Sequence, residues 1–144
     1  MKHATYDQDF YAWTQDQAAQ LRVGKLVDLD LEHLIEELES MGRSELRALE
    51  SSLGRLLQHL LKWRYQPALR CTSWKSTIKN QRREVAKNLC DNPSLKSRLP
   101  GVFEDAYETA KGWAEAETGL DEKTFSMTCP WPFDQAMNAD FYPE

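Results

Sequence analysis

The sequence predicts an all-α protein that folds as one domain. Its apolar residues are dominated by leucine and alanine, with 18 Leu and 13 Ala against 4 Val and 2 Ile. Leucine and alanine are strong helix formers, whereas β-branched residues favour strands. No stretch alternates between apolar and polar residues in the manner of a half-buried strand. A chain of 144 residues can bury one core but is short for two, so we predict a single domain over residues 1–144.

Three helices are predicted in the first half of the chain. The first runs from about residue 9 to residue 22, with Asp7 as its N-cap. The second begins near Asp30 and carries a leucine-rich stripe. The spacing of apolar residues slips at Gly42, which predicts a kink or a helix end there. The third and longest helix then covers about residues 44–66. The side chains predicted to be buried on it are Leu53, Leu56, Leu57 and Leu60.

The second half of the chain predicts further helices and an irregular end. Pro67 ends the third helix, and a basic helix over about residues 73–89 returns antiparallel to it. Another helix begins at Pro100 and ends at Gly119. The segment from Thr124 is rich in proline and aromatic residues, which indicates a strap packed over the helices. We therefore predict a five- or six-helix bundle with a long central helical hairpin and an irregular C-terminal strap.

Composition favours a cytoplasmic protein without a membrane partner. The N-terminal residues MKHATYDQDF contain no apolar segment typical of a secretory signal. No apolar run approaches the roughly 18 residues that a membrane-spanning helix needs. The three cysteines form no Cys-x-x-Cys pair, which argues against a zinc ribbon and indicates reduced thiols in the cytosol.

Several sequence runs carry a resemblance to a known family. They are YDQDFYAWTQDQAAQLR from Tyr6, LIEELESMGRSE from Leu34, HLLKWRYQP from His59, SWKSTIKNQR from Ser73, NPSL from Asn92, AEAETGL from Ala114 and CPW from Cys129. Through these runs the chain resembles a bacterial family, common in cyanobacteria, known as domain of unknown function 29. The resemblance covers nearly the whole chain and implies a small all-helical protein. It implies no activity and no catalytic residue.

The charges are unevenly distributed along the chain. Residues 62–87 hold eight basic side chains and one acidic side chain, a net charge of +7, between flanks of −5 and −7. Within this segment Lys75, Lys79, Arg83 and Lys87 follow one another at helical spacing, on the side opposite the apolar stripe. Like charges at this spacing repel each other, so a partner that relieves the repulsion is expected. That partner is an acidic protein, a nucleic acid or the acidic flanks of the chain itself.

A second candidate site combines polar residues that fall on apolar helical faces. Arg64 and Arg82 lie in phase with the apolar stripes of their helices, and Glu117 lies on the apolar face of its own helix. Buried charges are costly unless they are paired. One hypothesis is that Glu117 pairs with one of the two arginines, or that the arginine stems lie at a helix boundary. The alternative is a polar pocket lined by His59, Lys62, Arg64 and Arg82, in which a ligand supplies the missing partner.

Fingerprints of catalysis or metal binding are missing from the sequence. There is no Gly-x-Ser-x-Gly, P-loop or dinucleotide motif. His33 precedes Glu36 and Glu37, but on the predicted solvent side of the helix, and no Glu-x-x-His pair occurs. We therefore predict no metal, cofactor or catalytic residue. The favoured function is a non-enzymatic adaptor or regulator that binds a macromolecule, with a ligand-binding or enzymatic bundle as the alternative. Homo-oligomerisation is left open.

Overall fold

The fold is all-helical, as predicted. A computed structural model describes residues 5–144, and in this part of the chain it contains α-helices and short 3-10 helices but no strand. The α-helices are α1 (Phe10–Arg22), α2 (Leu31–Tyr65), α3 (Thr72–Asp91), α4 (Leu99–Thr118) and α5 (Phe133–Met137). The 3-10 helices cover Pro67–Leu69, Pro93–Arg98 and Glu122–Thr124. The chain divides into two compact units, an N-terminal unit ending at Arg43 and a C-terminal unit over Ser44–Glu144. The prediction of one domain stays a prediction.

The N-terminal unit consists of α1, a connecting loop and the first part of α2. The N-cap of α1 is Asp9, whose carboxylate accepts a hydrogen bond from the Ala12 N–H at 3.0 Å. The predicted cap, Asp7, is wrong because α1 begins at Phe10 and Asp9 is the residue that precedes it. Trp13 is buried and donates from Nε1 to Asp30 Oδ2 at 3.0 Å, which ties α1 to the residue preceding α2.

Helix α2 passes through Gly42 without ending. It runs as one α-helix of 35 residues, so the predicted helix end at Gly42 and the separate third helix are wrong. Gly42 is exposed, and a Cβ atom at this position would meet nothing within 4 Å. The apolar spacing slips near Gly42 because the boundary between the two units lies there. The part of α2 before the boundary has one apolar stripe, and the part after it has another. Flanking helix-forming residues outweigh the cost of about 1 kcal/mol that glycine adds in a helix.

The core of the C-terminal unit is built on the leucines of α2. The predicted core residues Leu53, Leu56, Leu57 and Leu60 are completely buried, which confirms the periodicity argument. Helices α2 and α3 form the predicted antiparallel hairpin. Lys62 near the end of α2 lies over a ring at the start of α3. Near the other end, Asn88 Nδ2 donates to the Glu45 carbonyl at 3.3 Å.

Helix α4 and the C-terminal strap (residues 120–144) complete this core. Alanines 106, 110 and 114 of α4 are fully buried. Opposite them, Gly54 of α2 allows close approach, since a Cβ there would lie 3.0 Å from Cζ3 of Trp113. Gly119 ends α4 with a φ of +74°, a conformation that glycine adopts at low cost. The strap contains two short helices, and its Trp131 and Ala136 are buried in the core.

Candidate binding surface

Helix α3 presents a basic ridge opposite its buried face. Its buried side chains are Ile78, Arg82, Val85 and Leu89. The basic ridge consists of Lys75, Lys79, Arg83 and Lys87, and all four side chains are exposed. Twelve residues separate its ends, which corresponds to about 18 Å along the helix. The ion pairs found among residues 5–144 involve other cations. The ridge therefore carries four positive charges that no carboxylate of the described chain neutralises at contact distance.

One end of the basic ridge lies next to an aromatic ring of the strap. Lys75 Nζ lies 5.4 Å from the ring centroid of Tyr142, a favourable cation–π distance. Such a contact orients the lysine but leaves its charge in place. The charge therefore remains available to an acidic partner.

His59 is a boundary residue of α2 with a local partner. Its Nδ1 lies 2.9 Å from the Arg55 carbonyl oxygen, within hydrogen-bond distance. Partial burial lowers the pKa of the imidazole, and the nearby positive charge of Lys62 lowers it further. His59 therefore has a backbone partner within its own helix.

Lys62 has two partners inside the C-terminal unit. Its Nζ donates to Glu117 Oε2 at 2.5 Å and lies 4.5 Å from the ring centroid of Trp74. The hydrogen bond from Lys62 holds the pKa of the Glu117 carboxyl below its usual range. The prediction that Glu117 pairs with an arginine is therefore wrong. Lys62 pairs with Glu117 in place of Arg64, because the buried part of α2 ends at Lys62.

Arg82 is buried and holds the C-terminal strap through backbone carbonyls. Its Nε donates to the Ala136 carbonyl at 2.8 Å, and its Nη2 donates to the Phe141 carbonyl at 2.7 Å. A longer bond of 3.4 Å joins Nη1 to the Ala139 carbonyl. The predicted carboxylate pair is wrong because three carbonyl oxygens satisfy this guanidinium. The position of Arg82 within an apolar stripe indicated that it is buried. Its partners could not be predicted, because every residue has a backbone carbonyl.

Arg64 differs from Arg82 because it is exposed. It lies beyond the last buried residue of α2, where its Cζ is 5.6 Å from the ring centroid of Tyr65. Of the four residues of the predicted pocket, only His59 and Lys62 are near each other. Arg82 binds the strap and Arg64 is exposed, so the four do not form one pocket. A surface cavity of about 750 Å³ lies instead between α4 and the strap, lined by residues that include Tyr107 and Cys129. None of the four predicted pocket residues lines this cavity.

The comparisons with known proteins agree with the resemblance noted in the sequence. The family described as "Domain of unknown function DUF29" matches residues 5–142. The chain belongs to the DUF29 family. A solved structure similar to it is an α-helical protein of unknown function from Rhodospirillum rubrum, 29% identical in sequence. The match covers 97% of this chain and 93% of that chain, with a TM-score of 0.60. The search of curated proteins gave no match.

The N-terminal unit of this DUF29 protein contains a polar cluster that the sequence analysis missed. His33 Nδ1 lies 2.7 Å from Asp30 Oδ2, and its ring stacks on Tyr6 at 4.1 Å. Hydrogen bonding to Asp30 raises the pKa of His33, and the hydrogen bond to Glu37 raises the pKa of Tyr6 to about 12. The Asp-x-x-His spacing at a helix start was the available signal.

The described part of the DUF29 chain has neither a cluster of metal ligands nor a membrane-spanning helix. Across residues 5–144, no group of three or more His, Cys, Asp or Glu side chains is arranged to hold a metal ion. No helix in the same range is long and apolar enough to cross a membrane.

Proposed function

We propose that this DUF29 protein is a non-enzymatic adaptor whose basic ridge docks onto an acidic protein surface. The observation that carries the proposal is the exposure of Lys75, Lys79, Arg83 and Lys87 without carboxylate partners at contact distance among the described residues. Four cations over about 18 Å repel each other when no anion is present, so binding an acidic surface releases this repulsion.

The opposite face of α3 supports the same proposal. Ile78 and Val85 are completely buried, so the helix is held in one orientation by the core. A rigid helix presents its charges at fixed spacing and loses little conformational entropy when it binds. The ridge therefore combines a fixed geometry with unneutralised charge.

The alternative function is a ligand pocket around His59, Lys62, Arg64 and Arg82. In this structure the Lys62 ammonium is paired with Glu117, and the Arg82 guanidinium is bonded to carbonyls of the strap. A ligand would have to displace these partners. No observation therefore favours the pocket over the basic ridge.

The test of the proposal is a charge reversal on the basic ridge. The double variant Lys79→Glu/Arg83→Glu should keep the fold, because exposed substitutions usually change stability by less than about 0.5 kcal/mol. Binding to an oligo-glutamate peptide, measured by fluorescence anisotropy, should be lost. The matched control is Lys96→Glu/Arg98→Glu, which makes the same change of charge at exposed residues outside the ridge. The control should bind the peptide nearly as well as the unchanged protein.

Salt dependence separates the two classes of acidic partner. Exposed charges are screened beyond about 10 Å at 0.1 M salt, so peptide binding should weaken as salt rises. A duplex oligonucleotide would instead show a log-linear loss with a slope near −0.9 for each phosphate contact. Tighter binding of the duplex than of the peptide would contradict the proposal. Unfolding of Lys79→Glu/Arg83→Glu would show that the ridge pairs with the acidic segments of its own chain.

A further inference from the structure

Exposed apolar side chains are concentrated in the N-terminal unit. Among the described residues, twelve large hydrophobic side chains are exposed, and ten of them belong to this unit. They are Phe10, Tyr11, Leu21, Val23, Leu26, Val27, Leu31, Ile35, Leu38 and Met41. The larger C-terminal unit exposes only Leu69 and Met127 in this class. A concentration of exposed apolar side chains of this kind usually marks a site of interaction with another protein or a membrane.

Part of this surface forms a groove between α1 and the first part of α2. The groove has a volume of about 280 Å³. We call it the N-terminal groove and define it by Phe10 and Leu21 of α1 with Leu34, Leu38 and Met41 of α2. The α2 residues follow one another at steps of four and three, which places them on one side of the helix. A groove between two helices with such a lining fits the apolar stripe of a third helix.

Acidic side chains border the apolar stripe of α2. Glu32, Glu36 and Glu39 are exposed and follow Ile35 around the helix. The charge of the whole segment has the same sign, since residues 1–43 carry nine acidic and four basic side chains, a net charge of −5. Residues 44–144 carry fourteen of each and are neutral. The unit that exposes most of the large apolar side chains is thus also the negatively charged one.

We infer that the N-terminal groove binds an amphipathic helix of a partner protein whose apolar stripe is flanked by lysine or arginine. The apolar stripe of the partner would pack on Leu34, Leu38 and Met41. Its cations would extend past Ile35 towards Glu32 and Glu39, the exposed carboxylates nearest to Ile35 around the helix. A second copy of the N-terminal unit is a poor occupant, because it would bring a charge of −5 against another of −5. This surface lies in the other unit from the basic ridge, so the inference does not depend on the proposed function.

Two synthetic peptides of about three heptads test the inference. Both carry leucines at i, i+3, i+4 and i+7, and one has lysines on the flanks while the other has glutamates. With the full-length chain, fluorescence anisotropy should show the lysine peptide binding at least about tenfold more tightly than the glutamate peptide. Circular dichroism should show that the lysine peptide becomes more helical when it binds.

Variants of the chain locate the binding site. Leu38→Ser/Met41→Ser should weaken binding of the lysine peptide at least about tenfold. The matched control, Leu69→Ser/Met127→Ser, removes exposed apolar side chains from the C-terminal unit and should leave binding unchanged. Because a groove variant that fails to fold would bind nothing, Glu32→Gln/Glu39→Gln provides a second test. It keeps the apolar lining and should reduce the preference for lysine over glutamate.

Three results would overturn the inference. The first is equal binding of the two peptides, or no binding by a folded monomeric chain. The second is an equal loss of binding in the control variant Leu69→Ser/Met127→Ser. The third is a dimer in sedimentation experiments that Leu38→Ser/Met41→Ser dissociates, because the occupant of the groove would then be a second copy of the chain.

Discussion

Replacement of Arg82 by methionine tests how the C-terminal strap is held. The change keeps an unbranched apolar stem and removes the donors that reach the carbonyls of Ala136 and Phe141 at 2.8 and 2.7 Å. A hydrogen bond from a charged donor contributes about 1.5–3 kcal/mol, so the two short bonds set an upper value of about 3–6 kcal/mol. Removing a buried cation also removes its desolvation cost, which offsets part of this loss. We expect the free energy of unfolding to fall by about 3 kcal/mol.

Urea denaturation followed by tryptophan fluorescence measures this loss. Limited proteolysis should in addition show earlier cleavage within residues 120–144, because the strap loses its attachment to α3. The control is Arg83→Met, one residue further along α3 but exposed, which should change stability by less than about 0.5 kcal/mol. If Arg82→Met lowers the free energy of unfolding by less than about 1 kcal/mol, the carbonyl contacts do not hold the strap and our reasoning fails.

Further predictions concern two glycines and two histidines. Gly42→Ala should raise the free energy of unfolding by about 0.5–1 kcal/mol. Gly54→Ala should not, because its Cβ would lie 3.0 Å from a tryptophan ring atom; equal gains in denaturation experiments would contradict the packing. In NMR titrations the pKa of His33 should lie above its ordinary value of about 6.5 and that of His59 below it. While Asp30 is ionised, the His33 pair with Asp30 should stabilise the fold fully below about pH 6.5, and this stabilisation should disappear as pH rises through the raised pKa of His33. Asp30→Asn should move the pKa of His33 back towards its ordinary value, and an unchanged pKa would refute the pairing.

Helical periodicity predicted the core well where one helix face packs against its own unit. Leu53, Leu56, Leu57 and Leu60 are completely buried because residues three and four apart lie on the same side of a helix. The same reasoning placed the cations of the basic ridge on the outer side of α3, where they are exposed. Both predictions depend only on local geometry.

Helical periodicity gave wrong predictions at two positions, one beyond the end of the core and one near the boundary between the two units. Arg64 has the phase of a buried residue but is exposed, because the buried part of α2 ends two residues before it. Gly42 lies at a real slip in apolar spacing, yet the helix continues through it. Phase gives the direction of a side chain from its helix, but it does not show whether another element lies in that direction.

The sequence by itself therefore determined the helical class, the leucine core of the C-terminal unit and the outward position of the basic ridge. Only the tertiary structure decided that Glu117 pairs with Lys62 and that backbone carbonyls hold Arg82. It also decided that the apolar stripe of the N-terminal unit remains exposed. The physical reason is that helix formation and side-chain direction depend on residues within a few positions, whereas ion pairs and burial depend on which distant segments meet. Lys62 and Glu117 are 55 residues apart, and Arg82 and Ala136 are 54 residues apart, far beyond the range of helical periodicity.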